Sequence, residues 1–123
     1  MKRNTDLGLF ILRIGISALM LTHGIPKLMK LLEGNFEFGD PIGLGPTVSL
    51  ILAVIGEVFA PVLIIVGYKT RLAAIPAAIT MAVAVFVVHA ADPIGTKEKA
   101  LLFLIGFVVI AICGAGKYSL DRR

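Results

Sequence analysis

Four stretches of the chain carry almost no charge. Leu72 to Ala91 runs for 20 residues without Asp, Glu, Lys or Arg, and Ala100 to Gly116 adds 17 more. Pro46 to Tyr68 holds one charge, Glu57, and Leu7 to Thr22 holds one, Arg13. A helix rises ~1.5 Å per residue, so about 20 residues cross ~30 Å of hydrocarbon. The pattern predicts an all-α protein, a four-transmembrane-helix bundle with helices at about 6–25, 46–67, 71–91 and 98–115, in a single integral membrane domain over 1–123. The start, Met1-Lys2-Arg3-Asn4 before an apolar run, imitates a signal peptide. Arg13 within the run and the lack of a small-x-small cleavage site after it favour a retained helix.

The connections differ in kind. Tyr68-Lys69-Thr70-Arg71 is a tight turn, and Ala91 to Lys97 is short, with Asp92-Pro93 and Gly95. Ile25 to Gly45 is the long connection, with Pro26, Pro41 and four glycines. Its Leu28, Met29, Leu31, Leu32, Phe36 and Phe38 form an amphipathic patch. Two readings are open for it: a segment lying on the membrane surface, or a loop capping the bundle.

Composition strengthens the membrane assignment. Of 123 residues 58% are hydrophobic and 16% charged, and the mean hydropathy is +0.96. A chain this small cannot hide so many apolar side chains in its own core. A disordered chain, a basic nucleic-acid-binding domain and an ordinary cytosolic enzyme are excluded. One cysteine, Cys113, leaves no intramolecular disulfide, CxxC pair or cysteine-rich zinc site. With four crossings, seven basic residues (Lys2, Arg3, Lys69, Arg71, Lys117, Arg122, Arg123) share the side of the termini, against four (Lys27, Lys30, Lys97, Lys99) opposite. The positive-inside rule then puts both termini in the cytoplasm.

Arg13 and Glu57 are the two charges inside predicted spans, each costing roughly 2.5–3.5 kcal/mol at a helix centre. Their depths are compatible with a pair between helices 1 and 2. That pair is either a structural ion pair fixing register or part of a functional site, and a protonated Glu57 bonded to a neighbour is a further option. Pro61, four residues after Glu57, removes the hydrogen bond to the Glu57 carbonyl and predicts a kink with a freed acceptor. Ala53, Gly56 and Ala60 beside Glu57, and Ser17 and Gly24 near the Arg13 face, allow close helix approach. At the outer end His23, His89 and Glu98 fall at similar depth. On a continuing helix Arg13, His23 and Lys27 share an arc of ~80° at ~100° per residue. Both histidines can exchange protons near neutral pH, or can simply be half-wet interfacial rings. The two with Glu98 make a poor metal set, because no tight ligand spacing supports it.

In order and spacing these pieces resemble the DoxX family of small four-helix membrane proteins. The likeness is carried by Arg13, His23-Gly24-x-x-Lys27-Leu28, Gly56-Glu57 and Gly67-x-x-Thr70-Arg71-x-Ala73-Ala74. His89, Glu98-Lys99-Ala100 and Gly114-x-Gly116-x-x-Ser119-x-Asp121 complete it over nearly the whole chain. The resemblance implies membrane redox chemistry with a quinone. Relatives are linked with quinone reduction beside a thiosulfate oxidoreductase, with oxidoreductase complexes in thiol and oxidative stress, and with quinone resistance.

The leading expectation is therefore a quinone-interacting component of a membrane oxidoreductase or redox-stress system, in a bacterial or archaeal plasma (inner) membrane. His23, His89 and Glu57 are the candidates for proton handling, and Arg13, Lys27 and Glu98 for holding the ligand. Met20, Val85 and Phe86 are expected to bound an apolar slot. No haem, flavin or iron–sulfur site is evident, so quinone is the carrier the membrane itself could supply. The partners expected are the bilayer, redox subunits and further copies of the chain, and no nucleic acid. A small-solute transporter and a non-catalytic scaffold for a redox partner are the competing readings.

Overall fold

The computed structural model describes residues 2–35, 43–88 and 90–122, the side chains of Lys2 and Arg3 excepted. They form four helices: α1 (Lys2–Leu32), α2 (Pro46–Val66), α3 (Thr70–Val88) and α4 (Ile94–Cys113). The all-α bundle expected from the uncharged runs is the observed one. The segments Asn4–Leu32, Pro46–Val66 and Thr70–Val88 are long and apolar enough to cross a membrane. α4 opens on Ile94-Gly95-Thr96, carries Lys97-Glu98-Lys99 next and is uncharged from Ala100 to Cys113, about 21 Å of rise. The charged run near its start belongs at the membrane boundary.

Large apolar side chains face outward along every helix: Ile11 is 62% exposed, Ile79 58% and Ile112 70%. Such a surface suits lipid. The interior is built largely from α3 and α4, where Ala73, Ala74 and Ala77 let the helices close on Phe103, Phe107 and Ile110. Met20 of α1 and Ala60 and Ile64 of α2 complete that core. A second cluster, Leu50, Val54 and Val58, is covered by Leu21, Leu28 and Leu31 of α1.

That second cluster explains a departure from expectation. α1 does not end near residue 25 but continues through Pro26 to Leu32. Proline removes one backbone donor, yet membrane helices tolerate it where neighbouring packing compensates. Here Leu28 and Leu31 turn inward onto α2, while Met29 and Leu32, 50% and 73% exposed, turn out. Residues 25–32 are therefore neither a surface segment nor a capping loop. Phe36 and Phe38 lie outside the described residues.

Five-residue π-helical turns interrupt α2 at Ile55–Phe59 and end α3 at Ala84–Val88. The first has a legible cause. Pro61 has no N–H to give the Glu57 carbonyl four residues back. Just before it, the Ala60 N–H reaches the Ile55 carbonyl, five back. The expected kink takes the form of a widened turn, a feature frequent at functional sites.

Candidate functional site

Lys27 and Glu57 meet inside the bundle. Lys27 Nζ donates to both Glu57 carboxylate oxygens at 2.7 Å. The Glu57 side chain is 3% exposed and that of Lys27 31%, so one partner is buried and the other reaches toward water. Three local features bring them together. The continuation of α1 past Pro26 carries Lys27 over α2. Gly24, one turn earlier, lets α1 touch the backbone of the π turn: a Cβ there would collide with the Glu57 carbonyl and lie 2.7 Å from its carbon. Gly56 does the same on the other flank, where a Cβ would strike the Thr80 hydroxyl and lie 3.0 Å from the Pro76 carbonyl oxygen. Gly56-Glu57 is thus one small residue that admits α3 and one acid that faces α1.

Two cavities share this pair. The larger, about 500 Å³, lies between α2 and α3. Its walls include Ser49, Ala53 and Glu57 of α2, Pro76, Thr80 and Ala84 of α3, and Lys27. Leu52, Ile55, Ile79 and Val88, which are 40–60% exposed on the outer surface, form its rim. The mouth therefore opens sideways, on the lipid-facing surface. Both π turns contribute to it, through Ile55 and Glu57 and through Ala84 and Val88. The volume falls within the roughly 300–1,000 Å³ of small-molecule sites. The smaller cavity, about 140 Å³, lies on the other side of the pair and is lined by Met20, His23, Lys99, Ala100 and Phe103, besides Lys27, Glu57, Met81 and Ala84. The His23 ring meets Phe103 edge-on with centroids 5.8 Å apart.

Of the residues singled out from sequence, Glu57, Lys27 and His23 come together here. His89 lies outside the described residues. Glu98 is exposed just after the first turn of α4 and lines neither cavity. Met20 borders the smaller cavity and Val85 is buried, but Phe86 is 66% exposed and faces away.

Arg13 does not pair with Glu57, contrary to expectation. α1 and α2 run antiparallel, and Gly24 marks the level of Glu57 on α1. Arg13 stands eleven residues earlier, roughly 16 Å away along the axis. There it donates from Nη1 to the Ile64 and Ile65 carbonyls, at 2.8 and 3.1 Å, and from Nη2 to the Tyr118 carbonyl. Ile64 and Ile65 lie in the last turn of α2, where carbonyls run short of helical partners, and the Ile64 carbonyl also accepts the Gly67 N–H at 3.1 Å. Gly67, at φ 74°, ends α2 with its N–H on the Leu63 carbonyl. The following turn is fastened by Asp121, whose carboxylate accepts from the Lys69 and Thr70 N–H groups at 2.9 and 2.8 Å. The Gly67 carbonyl takes the Asp121 N–H at 2.8 Å. The buried arginine is therefore a clasp for one end of the bundle, remote from both cavities of the ion pair.

Ser49 and Thr80 are wall residues that sequence reading passed over, and Lys99 is one it named without assigning it to the site. Thr80 and Ser49 are hydroxyls in apolar runs, and such groups commonly bond their own helix, as Thr80 does to the Pro76 carbonyl at 2.8 Å. Lys99 sits in a charged turn that reads as a solvated helix start.

Four antiparallel helices, a lipid-facing surface and ionisable groups held inside define a small multi-pass integral membrane protein. The chain belongs to the DoxX family, whose model matches residues 8–90. It is 33% identical over 125 residues to the inner membrane protein YphA of Escherichia coli, covering 94% of this chain and 89% of that one. An uncharacterised Haemophilus influenzae protein is 32% identical over 123 residues, covering 91% and 87%. The Bacillus subtilis protein named "Putative oxidoreductase CatD" is 28% identical over 122 residues, covering 98% and 90%. No solved structure matches the chain.

Proposed function

We propose that the protein is a quinone-interacting component of an oxidoreductase system in the bacterial inner membrane, with both termini in the cytoplasm. One observation carries the reading: a cavity of about 500 Å³ that is apolar, open to lipid and closed at its inner wall by the Lys27–Glu57 pair. A quinone headgroup arrives through the bilayer, needs an apolar slot, and presents two carbonyl oxygens to hydrogen-bond donors. Lys27 is such a donor, and Glu57 is a proton acceptor beside it. The hydroxyls of Ser49 and Thr80 stand on the same walls. Intramembrane ionisable groups facing a cavity are functional candidates by default. The name of the CatD relative agrees with redox chemistry. Electrons would be delivered by a redox partner subunit, with this chain holding the ring and managing its protons. His23 belongs to the water side of the pair, and His89 and Glu98 are assigned no contact with the ring.

The test is photo-crosslinking in membranes with a quinone analogue carrying the photophore on its ring, followed by peptide mapping. Labels should fall on α2 around Ala53 and on α3 around Thr80 and Ala84. They should be displaced by unlabelled quinone and weakened in Glu57→Gln. Uniform labelling of lipid-facing side chains, indifferent to competitor, would overturn the quinone reading.

A further inference from the structure

The two cavities share one wall and open in different directions. The larger meets lipid between α2 and α3. The smaller lies beside the exposed His23 and Lys99, near the charged run Lys97-Glu98-Lys99 of α4. Lys27, Glu57, Met81 and Ala84 border both. A carboxylate that is 3% exposed needs an opening of this kind to exchange protons with water. The groups facing it are few. Among the described residues α1 supplies His23 and Lys27 and α4 supplies Lys99, while α3 supplies only the uncharged Met81 and Ala84.

We propose that the pocket at His23 is the water-side proton inlet of the slot, and that Glu57 is the single group reached from both lipid and water. This deepens the quinone reading and rests on it for the identity of the slot's ligand. The step is a proton transfer and moves no electrons. An N–H proton of the His23 imidazolium, directly or through a pocket water, passes to the Glu57 carboxylate. The imidazole becomes neutral, the carboxyl becomes neutral, and Lys27 keeps its charge. Glu57 then stands protonated at the slot wall. Ligand enters sideways from lipid, protons enter from water, and the ion pair keeps the two routes from merging.

Carbodiimides of different solubility read the two routes separately, using the full chain in proteoliposomes. A water-soluble carbodiimide that activates Glu57 should be answered by Lys27, 2.7 Å away, with an amide bond between Lys27 Nζ and the Glu57 carboxyl carbon. Mass spectrometry detects this cross-link between α1 and α2. Ala100→Phe fills the smaller cavity only and should abolish the cross-link from the water-soluble reagent. It should leave modification of Glu57 by a lipid-soluble carbodiimide intact, which also shows that the variant is folded. Ala53→Phe fills the larger cavity only and should give the opposite pattern. Decylubiquinone should protect Glu57 from the lipid-soluble reagent alone. A water-soluble reagent that never reaches Glu57, or reaches it equally in Ala100→Phe, would overturn the inlet. Failure of decylubiquinone to protect, with the two-sided pattern preserved, would instead remove the quinone reading and leave the inlet standing.

Discussion

Two cations, Arg13 buried and Lys27 partly wet, do different work in this chain. Lys27 has a carboxylate to hold, and Arg13 has carbonyls. Removing one member of a buried ion pair strands the other, at a cost of about 3–5 kcal/mol for full burial. Lys27 is partly wet, so the cost falls below that range for Glu57→Leu, where the stranded lysine can turn to water. It is larger for Lys27→Met, which leaves the carboxylate inside. Thermal unfolding of purified protein in detergent should rank the variants in that order. The double change Lys27→Met with Glu57→Leu should recover part of the loss, and full additivity would mean the pair contributes nothing as a pair. Arg13→Met removes three donor contacts to backbone carbonyls and should lower stability by roughly 2–4 kcal/mol. Arg13→Lys should restore only a fraction, because an ammonium cannot reproduce the planar fork that spans Ile64, Ile65 and Tyr118. Equal melting of the lysine variant and the parent would refute the clasp.

Among the elements, α2 decides the site, because its π turn and two neighbouring glycine contacts fix where Glu57 points. Gly24→Ala sets a methyl against the Glu57 carbonyl, a backbone atom that cannot rotate away. Overpacking of this kind costs about 1–3 kcal/mol. The outcome to measure is geometric: α1 should move off α2 and the Lys27–Glu57 cross-link should weaken, while the Arg13 end stays closed. Much of this element was legible from residues. Uncharged runs mark spans because lipid offers no partner to a polar group, and Pro61 announced the disturbance at Glu57. The extension of α1 was hidden because Pro26 followed by glycines imitates a helix end, and only packing of Leu28 and Leu31 overrides it. For the same reason Lys27 was visible as a candidate but not as the partner of Glu57. Two opposite charges in adjacent spans suggested the wrong pair, since sequence gives their depths but not the contact that sets the register. The lateral mouth was not legible at all, because it depends on how far α2 and α3 stand apart at small side chains.

For the molecule as a whole, the basic residues argue for an orientation. Seven lie on the side of the termini and four on the other. Reporter fusions after Gly95 should read as periplasmic, and fusions at Tyr68 or after Arg123 as cytoplasmic. A cytoplasmic Gly95 fusion would reverse the assignment and place the His23 pocket on the cytoplasmic face. The same end that holds the termini also joins the beginning of the chain to its finish: Asp6 accepts the Lys117 N–H at 3.1 Å, Arg13 holds Tyr118, and Asp121 fastens the start of α3. Arg13 leaves the ribosome more than a hundred residues before Tyr118 and Asp121. During synthesis the arginine therefore enters the bilayer before its final acceptor exists, and the α2–α3 turn waits uncapped until Asp121 has been made. A chain interrupted between Cys113 and Tyr118 carries every span yet lacks the groups that fasten this end of the bundle.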